Sequence, residues 1–418
     1  MEIKLYPGAT PTRIRRHYRW TAEQDAFLAK HLRDLVDAGV ISHVESEWLC
    51  PIVLVRKNDR SWRLCVDPAT LNRVTVPMTW EVPKVREFLQ DKLAGCKWFS
   101  KFDFVAMFWQ LSLHADSRHL FSFFAGQHGS YCFNRVAMGA LNSSVYTQKM
   151  LTRMFQNVQF RGKPILGNGL VVQTDDVLLY APTAEDLLAI TVLFVRTVMM
   201  HNLAIHPDKC LMFQRQLIYC GLLVSGAGVS VDPDRLQGLR ALPYPTTVGD
   251  VWRFKASVGW IRPDIPLLAV AETDLNDLIT AALKGLNKRD MKAADRIPVA
   301  NAGWGPKHKT AWDLIKKALT ECITTSFRDR TMIACIFTDA SSLGWAICIT
   351  QCHPQELSKP WAEQQHELLA VSSGMFRNAQ TNWAMGCKEA FPIVVAVENT
   401  DSSYKETYPS SRSMTTGR

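Results

Sequence analysis

The apolar positions of the N-terminal half alternate between helical and extended spacing. Over residues 21–38 they recur every three or four positions, and Gly39 follows as a helix stop. Thr21 and Gln24 have the spacing of a capping box at the start of this segment. The helical spacing returns over residues 184–200. These patterns predict two amphipathic helices.

Two predicted strand pairs lie between these helices. Residues 51–55 and 62–66 are short apolar runs on either side of a polar, basic turn, which is typical of a hairpin. A second strand-turn-strand pattern covers residues 170–180, with Asp175 and Asp176 at its centre. Strands and helices therefore mix in an α+β manner.

The pattern changes in the C-terminal half. It weakens after about residue 234, and the segment Leu242-Pro243-Tyr244-Pro245 marks a boundary. A second compact unit is predicted to begin near Trp304, with a helix at 309–319 and strands at 332–338 and 345–350. Past Asn399 the chain is rich in Ser and Thr, which predicts a disordered tail.

The composition and charge of the chain indicate which kind of molecule the protein binds. Of the 418 residues, 47% are hydrophobic and 21% charged, which indicates two or three globular domains. The formal charge of +9 favours nucleic acid, because each lysine or arginine that neutralises a phosphate also releases counterions. There is no apolar run of about 18 residues or more and no signal-peptide core. We therefore expect an intracellular protein, cytoplasmic or nuclear, without a membrane partner.

The 11 cysteines are scattered through apolar stretches, as expected of buried thiols in a reducing compartment. Cys348, Cys352 and His353 form the one tight cluster. Because no second Cys/His pair lies at zinc-finger spacing, we interpret this cluster as structural.

The adjacent acids Asp175 and Asp176 are the first candidates for catalytic residues. Between two apolar strands they should lie at a hairpin tip, since burying an unpaired charge is costly. A metal ion would offset that cost, and phosphoryl transfer onto a primer 3′-OH uses two Mg²⁺ ions about 4 Å apart. A further acid should then exist, and Asp103, near the end of the predicted strand 99–104, is the best candidate. Spacing alone leaves open that all three acids merely cap turns.

Six blocks of residues follow one another along the chain: Pro51-Ile-Val-Leu-Val-Arg-Lys, Trp62-Arg-Leu-Cys-Val-Asp, Phe99-Ser-Lys-Phe-Asp with Gln110, Met138-Gly139 with Asn142 and Gln148, Thr174-Asp175-Asp176, and Lys209-Cys210 before Gly221. In this order they resemble the reverse transcriptases of gypsy-class long-terminal-repeat retrotransposons. The resemblance covers most of the chain and fades by about residue 395.

The resemblance implies an α+β fold: a right-hand polymerase of fingers, palm and thumb, followed by a partial RNase H-like α/β domain. It places fingers and palm in residues 1–235 and a thumb- or connection-like segment in 236–300. A truncated RNase H-like domain would occupy 301–398, and the disordered tail 399–418. With no protease block before it and no integrase block after it, the chain is expected to be a fragment of a longer polyprotein.

The resemblance also implies an RNA-directed DNA polymerase, a nucleotidyltransferase that uses dNTPs and an RNA or DNA template-primer. Asp103, Asp175 and Asp176 would be the metal-binding and catalytic acids for two Mg²⁺ ions, for which Mn²⁺ could substitute. Lys209 would protonate the pyrophosphate leaving group.

Four further residues are implied to bind the incoming dNTP. Lys57 and Arg63 would grip the triphosphate, Phe108 would exclude a 2′-hydroxyl and Gln148 would lie beside the nucleotide. Taken alone, Lys57 and Arg63 would be interpreted as part of a solvated turn and Phe108 as an ordinary core residue. Gln148 would be interpreted as a polar helix residue, and Lys209 as a surface charge.

The RNase H-like segment is incomplete. Asp339, in Thr338-Asp339-Ala340-Ser341, matches the first carboxylate strand of that domain, and Glu389 matches the helix that carries the second acid. A third acid should follow a further strand, but only Asp401 is present, too close and inside the predicted tail. Two carboxylates hold two Mg²⁺ poorly, so RNase H activity is predicted to be lost.

Three residues depart from the family pattern near the polymerase blocks. Gln173 replaces a usual aromatic residue, Ala69 a usual arginine and Ser144 a usual proline. The alternative hypothesis is therefore a decayed, catalytically inactive fragment that only binds nucleic acid.

Overall fold

The structure is a computed structural model, and it describes residues 1–11, 19–57, 60–80, 84–261, 265, 268–286, 290–320 and 322–404. For residues 268–271 and 399–404 it describes the backbone only. Parts of three predicted features lie outside the described residues: the turn of the first hairpin at 58–59, the thumb- or connection-like segment at 262–264, 266–267 and 287–289, and the tail at 405–418.

The helices of the described chain are α1 (Ala22–Asp37), α2 (Ala69–Val74), α3 (Val85–Lys92), α4 (Met107–Gln110), α5 (Ala115–Arg118), α6 (Ser143–Phe155), α7 (Ala184–Met200), α8 (Pro233–Ala241), α9 (Val248–Ile261), α10 (Leu268–Ala282), α11 (Met291–Asp295), α12 (Pro306–Ala318) and α13 (Met385–Tyr404). None of these described helices is long and apolar enough to cross a membrane.

The strands of the described chain are β1 (Ile41–His43), β2 (Ile52–Arg56), β3 (Trp62–Val66), β4 (Trp98–Asp103), β5 (Ser122–Phe124), β6 (Ser130–Phe133), β7 (Gln159–Phe160), β8 (Lys163–Pro164), β9 (Leu170–Gln173), β10 (Asp176–Ala181), β11 (Leu211–Gln214), β12 (Gln216–Tyr219), β13 (Leu222–Ser225), β14 (Gly228–Val231), β15 (Ile333–Ala340), β16 (Gly344–Cys352) and β17 (Glu367–Met375).

The helices and hairpins predicted from periodicity are present. The capping box of α1 forms as predicted, with Gln24 N–H donating to Thr21 Oγ1 and Thr21 N–H donating to Gln24 Oε1. Strands β2 and β3 pair antiparallel, as do β9 and β10. Helix α7 has the predicted bounds, because Thr183 accepts a hydrogen bond from Asp186 N–H at its start.

The chain divides into two compact units. The first comprises residues 1–84 and 98–214, and the second comprises residues 85–97 and those from 215 onward. The boundary thus precedes residue 235, because β11 pairs with β4 of the first unit whereas β12 pairs with β13 of the second. Segments 236–300 and 301–398 share one unit, and their identity as thumb-like and RNase H-like domains stays a prediction.

The first unit is built around a four-stranded antiparallel sheet in the order β11-β4-β10-β9. Helices α6 and α7 pack against this sheet through aromatic contacts. The Phe194 ring lies 4.7 Å from that of Phe102 on β4 and 5.4 Å from that of Phe155 on α6. A second apolar cluster joins α1, whose Leu28, Leu32 and Leu35 are buried, to the sheet β1-β6-β5. Both cores immobilise the strand ends that carry polar residues.

The second unit combines two three-stranded sheets with helices α3 and α8 to α13. Phe254 on α9 stacks on Trp312 of α12 at 3.9 Å between ring centroids. One face of the sheet β15-β16-β17 contacts α13 through a cluster that includes Ile347, Ile349 and Ala396. Strand β15 lies at one edge of this sheet.

Helix α13 corrects one detail of the sequence prediction. It continues to Tyr404, six residues into the segment predicted to be a disordered tail. No glycine or proline interrupts the chain between Ile393 and Tyr404, so the backbone can remain helical.

Candidate active site

The register of β4 and β10 brings the three predicted carboxylates to one end of the sheet. Asp103 is the last residue of β4 and pairs directly with Asp176, the first residue of β10. Asp176 also pairs with Gln173, so β9 and β10 are joined by a tight turn at Thr174 and Asp175. Thr174 has a φ of 58°, a left-handed conformation that non-glycine residues adopt mainly in such turns. The acids therefore lie at the predicted hairpin tip and the adjacent strand end.

The Gln148 side chain stabilises this turn through hydrogen bonds to its backbone. It is 3% exposed and projects from α6. Its Oε1 accepts a 2.7 Å hydrogen bond from Thr174 N–H, and its Nε2 donates to the Val172 carbonyl at 3.0 Å. Both ends of the amide are thus bound to the backbone of the hairpin that presents Asp175. The predicted contact with a nucleotide would have to compete with these bonds.

Lys101 is a residue of this cluster that sequence reasoning missed. Its Nζ lies 3.1 Å from Asp176 Oδ1, and both side chains are less than one-third exposed, at 23% and 31%. Lys101 precedes Asp103 by two residues, so the two side chains lie on the same face of β4. That spacing could have indicated that Lys101 lies near Asp103. Its ion pair with Asp176 could not be predicted, because it depends on the register of β4 and β10.

Lys209 reaches the cluster through a segment that runs beside β4. His206 N–H donates to the Asp103 carbonyl at 2.8 Å, and a short 3₁₀ turn, Pro207–Lys209, follows. Lys209 Nζ lies 3.8 Å from Asp103 Oδ1, and its side chain is 60% exposed. This is a loose, solvated ion pair, which leaves the ammonium available to another anion.

The three acids repel one another. Desolvation raises the pKa of the Asp175 carboxyl, and the charges of Asp176 and Asp103 raise it further, although a backbone hydrogen bond and Lys101 oppose the rise. Divalent cations with hard oxygen ligands suit such a donor set, and Asp103, Asp175 and Asp176 could hold them. Their oxygens do not form a group of three within 4.8 Å; among the described residues only Cys335, Cys352 and His366 do so.

The other three predicted nucleotide-binding residues lie outside this cluster. Phe108, on α4, is half-buried against the core that contains α1. Lys57 and Arg63 are exposed at the β2–β3 hairpin, and neither makes an ion pair with the three carboxylates within the part of the chain that the structure describes. The hairpin is fixed to α1 by Trp62, whose Nε1 donates to Glu23 Oε1 at 3.0 Å.

The three departures from the family pattern lie on different elements of the first unit. Gln173 ends β9, half-buried beside the turn. Ala69 begins α2, and its N–H donates to Asp67 Oδ1 at 3.0 Å. Ser144 is exposed in the first turn of α6.

The predicted RNase H acids are both exposed in the second unit. Asp339 lies on the edge strand β15, and Glu389 lies on α13. The neighbouring Lys388 is 6% exposed, and its ammonium donates to the carbonyls of Ser342 and Thr381, each at 2.9 Å. Lys388 therefore anchors α13, while neither acid belongs to a described group of three metal-ligand side chains.

Cys348, Cys352 and His353, which are close along the sequence and were interpreted as structural, do not form a group of metal-ligand side chains among the described residues. Cys352 lies instead with Cys335 and His366. The β15–β16 hairpin and the start of β17 bring these residues together, which spacing along the sequence could not show.

Comparison with known proteins finds similarity to reverse transcriptases. Residues 55–224 match the family model described as "Reverse transcriptase (RNA-dependent DNA polymerase)". The chain is 26% identical over 343 residues to the Gag-Pol polyprotein of gibbon ape leukemia virus, covering 81% of this chain and 19% of that protein. It is 24% identical over 345 residues to the Pol polyprotein from transposon 412 of Drosophila melanogaster, covering 81% and 26%.

Solved structures agree in fold. A foamy viral protease-reverse transcriptase in complex with double-stranded DNA matches with a TM-score of 0.76 and 18% identity, over 94% of this chain and 63% of that one. The same protein in complex with an RNA/DNA hybrid matches with a TM-score of 0.76 and 17% identity, over 95% and 49%.

At these identities the structural likeness concerns the fold, which is that of a reverse transcriptase polymerase with mixed α and β content. The chain spans about a fifth to a quarter of the length of the curated relatives named above. Residues 55–224 are similar to the reverse transcriptase domain found in retroviral and retrotransposon Pol polyproteins.

Proposed function

We propose that the chain is an RNA-directed DNA polymerase, a fragment of the Pol polyprotein of a gypsy-class retrotransposon. It would transfer nucleotides from dNTPs to a primer 3′-OH on an RNA or DNA template. The observation that carries this proposal is the register of β4 and β10, which opposes Asp103 to Asp176 with Asp175 in the adjoining turn.

The acids supply the ligands that this chemistry needs. Asp103 and Asp175 would hold two Mg²⁺ ions, or Mn²⁺ in their place, with Asp176 completing the acidic cluster. Such ions lower the pKa of the attacking hydroxyl and stabilise the charge that develops on the phosphates. Lys101 offsets the charge of Asp176, which supports the assignment of Asp103 and Asp175 as the principal ligands.

The other predicted residues would handle the nucleotide. Lys209 is exposed, with only a 3.8 Å ion pair to Asp103, so its ammonium is free to donate a proton to the leaving pyrophosphate. Lys57 and Arg63 present two cations at a hairpin tip, where a guanidinium can bind phosphate oxygens bidentately. The Phe108 ring would pack against the sugar and exclude a 2′-hydroxyl.

Gln148 takes a different role in this proposal. Because its amide is bound to the hairpin backbone, it acts as a positioning residue that holds Asp175, rather than as a direct contact of the nucleotide. The proposed partners are an RNA or DNA template-primer and dNTPs. The chain's charge of +9 supports a polyanionic partner, and the similar foamy viral structures contain double-stranded DNA or an RNA/DNA hybrid.

A primer-extension assay on an RNA template tests the proposal. The full chain should extend the primer in Mg²⁺, and Asp175→Asn should lower the rate by at least about 100-fold, the scale seen when a charge-stabilising group is removed from an active site. Asp116→Asn is the matched control, because this side chain is 90% exposed on α5 and away from the three acids. Absence of extension by the wild type, or equal extension by Asp175→Asn, would refute the proposal.

The alternative is an inactive fragment that only binds nucleic acid. It is favoured by Gln173 beside the acidic turn, and by the fact that the three carboxylates do not converge within 4.8 Å among the described residues. It predicts salt-sensitive binding of a template-primer with no extension in either Mg²⁺ or Mn²⁺. Any divalent-ion-dependent extension that Asp175→Asn removes would exclude this alternative.

A further inference from the structure

Three ligand-type side chains converge on one face of the sheet β15-β16-β17 in the second unit. The antiparallel register opposes Cys352 to Ile333, so Cys352 lies diagonally across from Cys335 on the same face. His366 directly precedes β17. The two Sγ atoms and a ring nitrogen of His366 all lie within 4.8 Å of one another.

The spacing of the two sulfur atoms fits a shared metal ion. Cys335 Sγ and Cys352 Sγ are 3.7 Å apart. A disulfide bond would need about 2.05 Å between them. Two thiolates bound to one tetrahedral Zn²⁺, each about 2.3 Å from the ion, lie about 3.8 Å apart. The observed separation therefore matches the second geometry and not the first.

His366 is held in the tautomer that a metal requires. Its Nε2 lies 3.0 Å from Gln364 Oε1, an atom that can only accept, so Nε2 carries the proton. Its Nδ1 lies 2.9 Å from Thr350 Oγ1 and accepts the hydroxyl proton. The Nδ1 lone pair can coordinate a metal ion if the Thr350 hydroxyl turns away from it. A partner such as Gln364 on the opposite nitrogen is the usual support of a metal-binding histidine.

The surroundings shield the group partly from water. Cys352 is 1% exposed and Cys335 is half-buried. The Phe337 ring, next on this face of β15, meets the His366 ring edge-on at 5.4 Å. Two thiolates and an imidazole in a shielded position suit a soft or borderline divalent cation, whereas Mg²⁺ prefers oxygen ligands.

We propose that Cys335, Cys352 and His366 bind one Zn²⁺ ion, with water in the fourth position. The ion would join the edge strand β15, the end of β16 and the start of β17, and so would stabilise the sheet on the face opposite the cluster that contacts α13. This site is independent of the carboxylates in the first unit. Its presence or absence therefore does not decide the polymerase proposal.

Cobalt substitution tests the site in the full, reduced chain. Co²⁺ should bind with one ion per chain and give the near-ultraviolet thiolate-to-cobalt absorption band and the visible bands of tetrahedral coordination. Cys335→Ser and Cys352→Ser should each abolish the thiolate band or shift it markedly. Removal of an outer partner of a metal ligand costs about 10–100-fold in affinity, so Gln364→Ala should weaken Zn²⁺ binding by that factor and His366→Ala by more.

Cys348→Ser is the matched control for these variants. Cys348 is a half-buried cysteine on the same strand, β16, but it lies outside the group of three ligands. It should leave the cobalt spectrum unchanged. A wild type without a thiolate-to-cobalt band, or a band that survives in both Cys335→Ser and Cys352→Ser, would overturn the proposal.

Thiol alkylation gives a second test that needs no variant. In the wild type, Zn²⁺ should slow alkylation of Cys335 and Cys352 at least tenfold, while the exposed Cys387 should react at the same rate with or without the ion. The proposal would be overturned if Zn²⁺ slowed the alkylation of all three thiols equally, or of none of them. Isolation of a Cys335–Cys352 disulfide from the reduced protein would also do so.

Discussion

Gln148 makes two hydrogen bonds, one buried and one partly buried, that fix the turn carrying Asp175. Replacing it with alanine leaves the Thr174 N–H and the Val172 carbonyl without their partner, at a cost of about 1–3 kcal/mol in the free energy of unfolding. We expect Gln148→Ala to lower kcat for primer extension and the midpoint of urea unfolding together. Gln156→Ala, at the exposed C-terminal end of α6, is the control and should change neither.

A direct contact between Gln148 and the nucleotide would give a different result. The variant would then keep the stability of the wild type and raise the KM for dNTP without a matching loss of kcat. That outcome would return Gln148 to the nucleotide-binding role that the family resemblance implied.

Asp250 offers a pH-dependent measurement at a residue outside the candidate metal sites. Desolvation acts to raise its pKa, but hydrogen bonds from the Thr247 backbone, the Arg253 guanidinium and Thr246 hold it well below the usual range. A carboxyl with a lowered folded-state pKa stabilises the fold above its unfolded pKa of about 3.9, and this contribution is lost as the pH falls.

Asp250→Asn should therefore destabilise the protein by about 1 kcal/mol at pH 7, since Asp250 also binds backbone N–H groups at the start of α9. The difference between variant and wild type should shrink as the pH is lowered below about 4. Urea unfolding of both proteins between neutral and acidic pH measures this difference. A difference that is constant with pH would contradict the role of the charge.

At the residue scale, sequence predicted the positions of Asp103, Asp175 and Asp176, because each lies next to an apolar strand of clear period. Lys101 and Cys335 escaped prediction for a common reason. Each acquires its partner through the register of two antiparallel strands, Lys101 with Asp176 and Cys335 with Cys352. The register of two strands depends on packing across the whole sheet, so the spacing of residues within either strand does not predict it.

At the scale of elements, the helices with strong period and a capping residue were predictable. Helix α7, with Thr183 at its start, has the predicted bounds. The boundary of the compact units was not predictable, because α3 and residues up to 97 belong to the second unit although they precede β4 in the chain. Such an assignment depends on long-range pairs such as Gln90 Nε2 with the Leu369 carbonyl.

Gly228 marks one of these long-range connections at the start of β14. Its φ is 142°, and a Cβ there would collide with the Thr325 carbonyl oxygen. The adjacent Val229 exchanges two backbone hydrogen bonds of 2.9 Å with Thr325. Gly228→Ala must displace this bridge, and overpacking together with backbone strain should cost about 2–4 kcal/mol in the free energy of unfolding.

Gly238→Ala is the control for this substitution. Gly238 lies within α8, and a Cβ at this position meets no atom within 4 Å. The change should stabilise the protein by about 0.5–1 kcal/mol, because alanine has less backbone freedom to lose in a helix. Equal effects of the two substitutions on the urea midpoint would show that Gly228 does not make the close approach described above.

At the scale of the whole molecule, the charge of +9 and the similarity to reverse transcriptases support the proposed nucleic acid partner, but the two units differ in the arrangement of their acidic residues. The first unit has three acids at one strand end. In the second, Asp339 lies on an edge strand and Glu389 on the exposed side of α13, and the side chain of Asp401 lies outside the described residues. We therefore expect the protein to bind an RNA–DNA hybrid without cleaving it.

We expect the full chain to bind an RNA–DNA hybrid without cleaving its RNA strand in Mg²⁺. The logarithm of the affinity should fall linearly with the logarithm of salt concentration, with a slope of about −0.9 for each phosphate that the protein neutralises on a B-form duplex. Two carboxylates give too few ligands for a pair of Mg²⁺ ions, so the RNA should remain intact while a primer on the same hybrid is extended. Asp339→Asn should alter neither binding nor extension. RNA fragments that appear with Mg²⁺ in the wild type and disappear in Asp339→Asn would instead demonstrate a working nuclease in the second unit, and would require a third ligand from outside the acids described above.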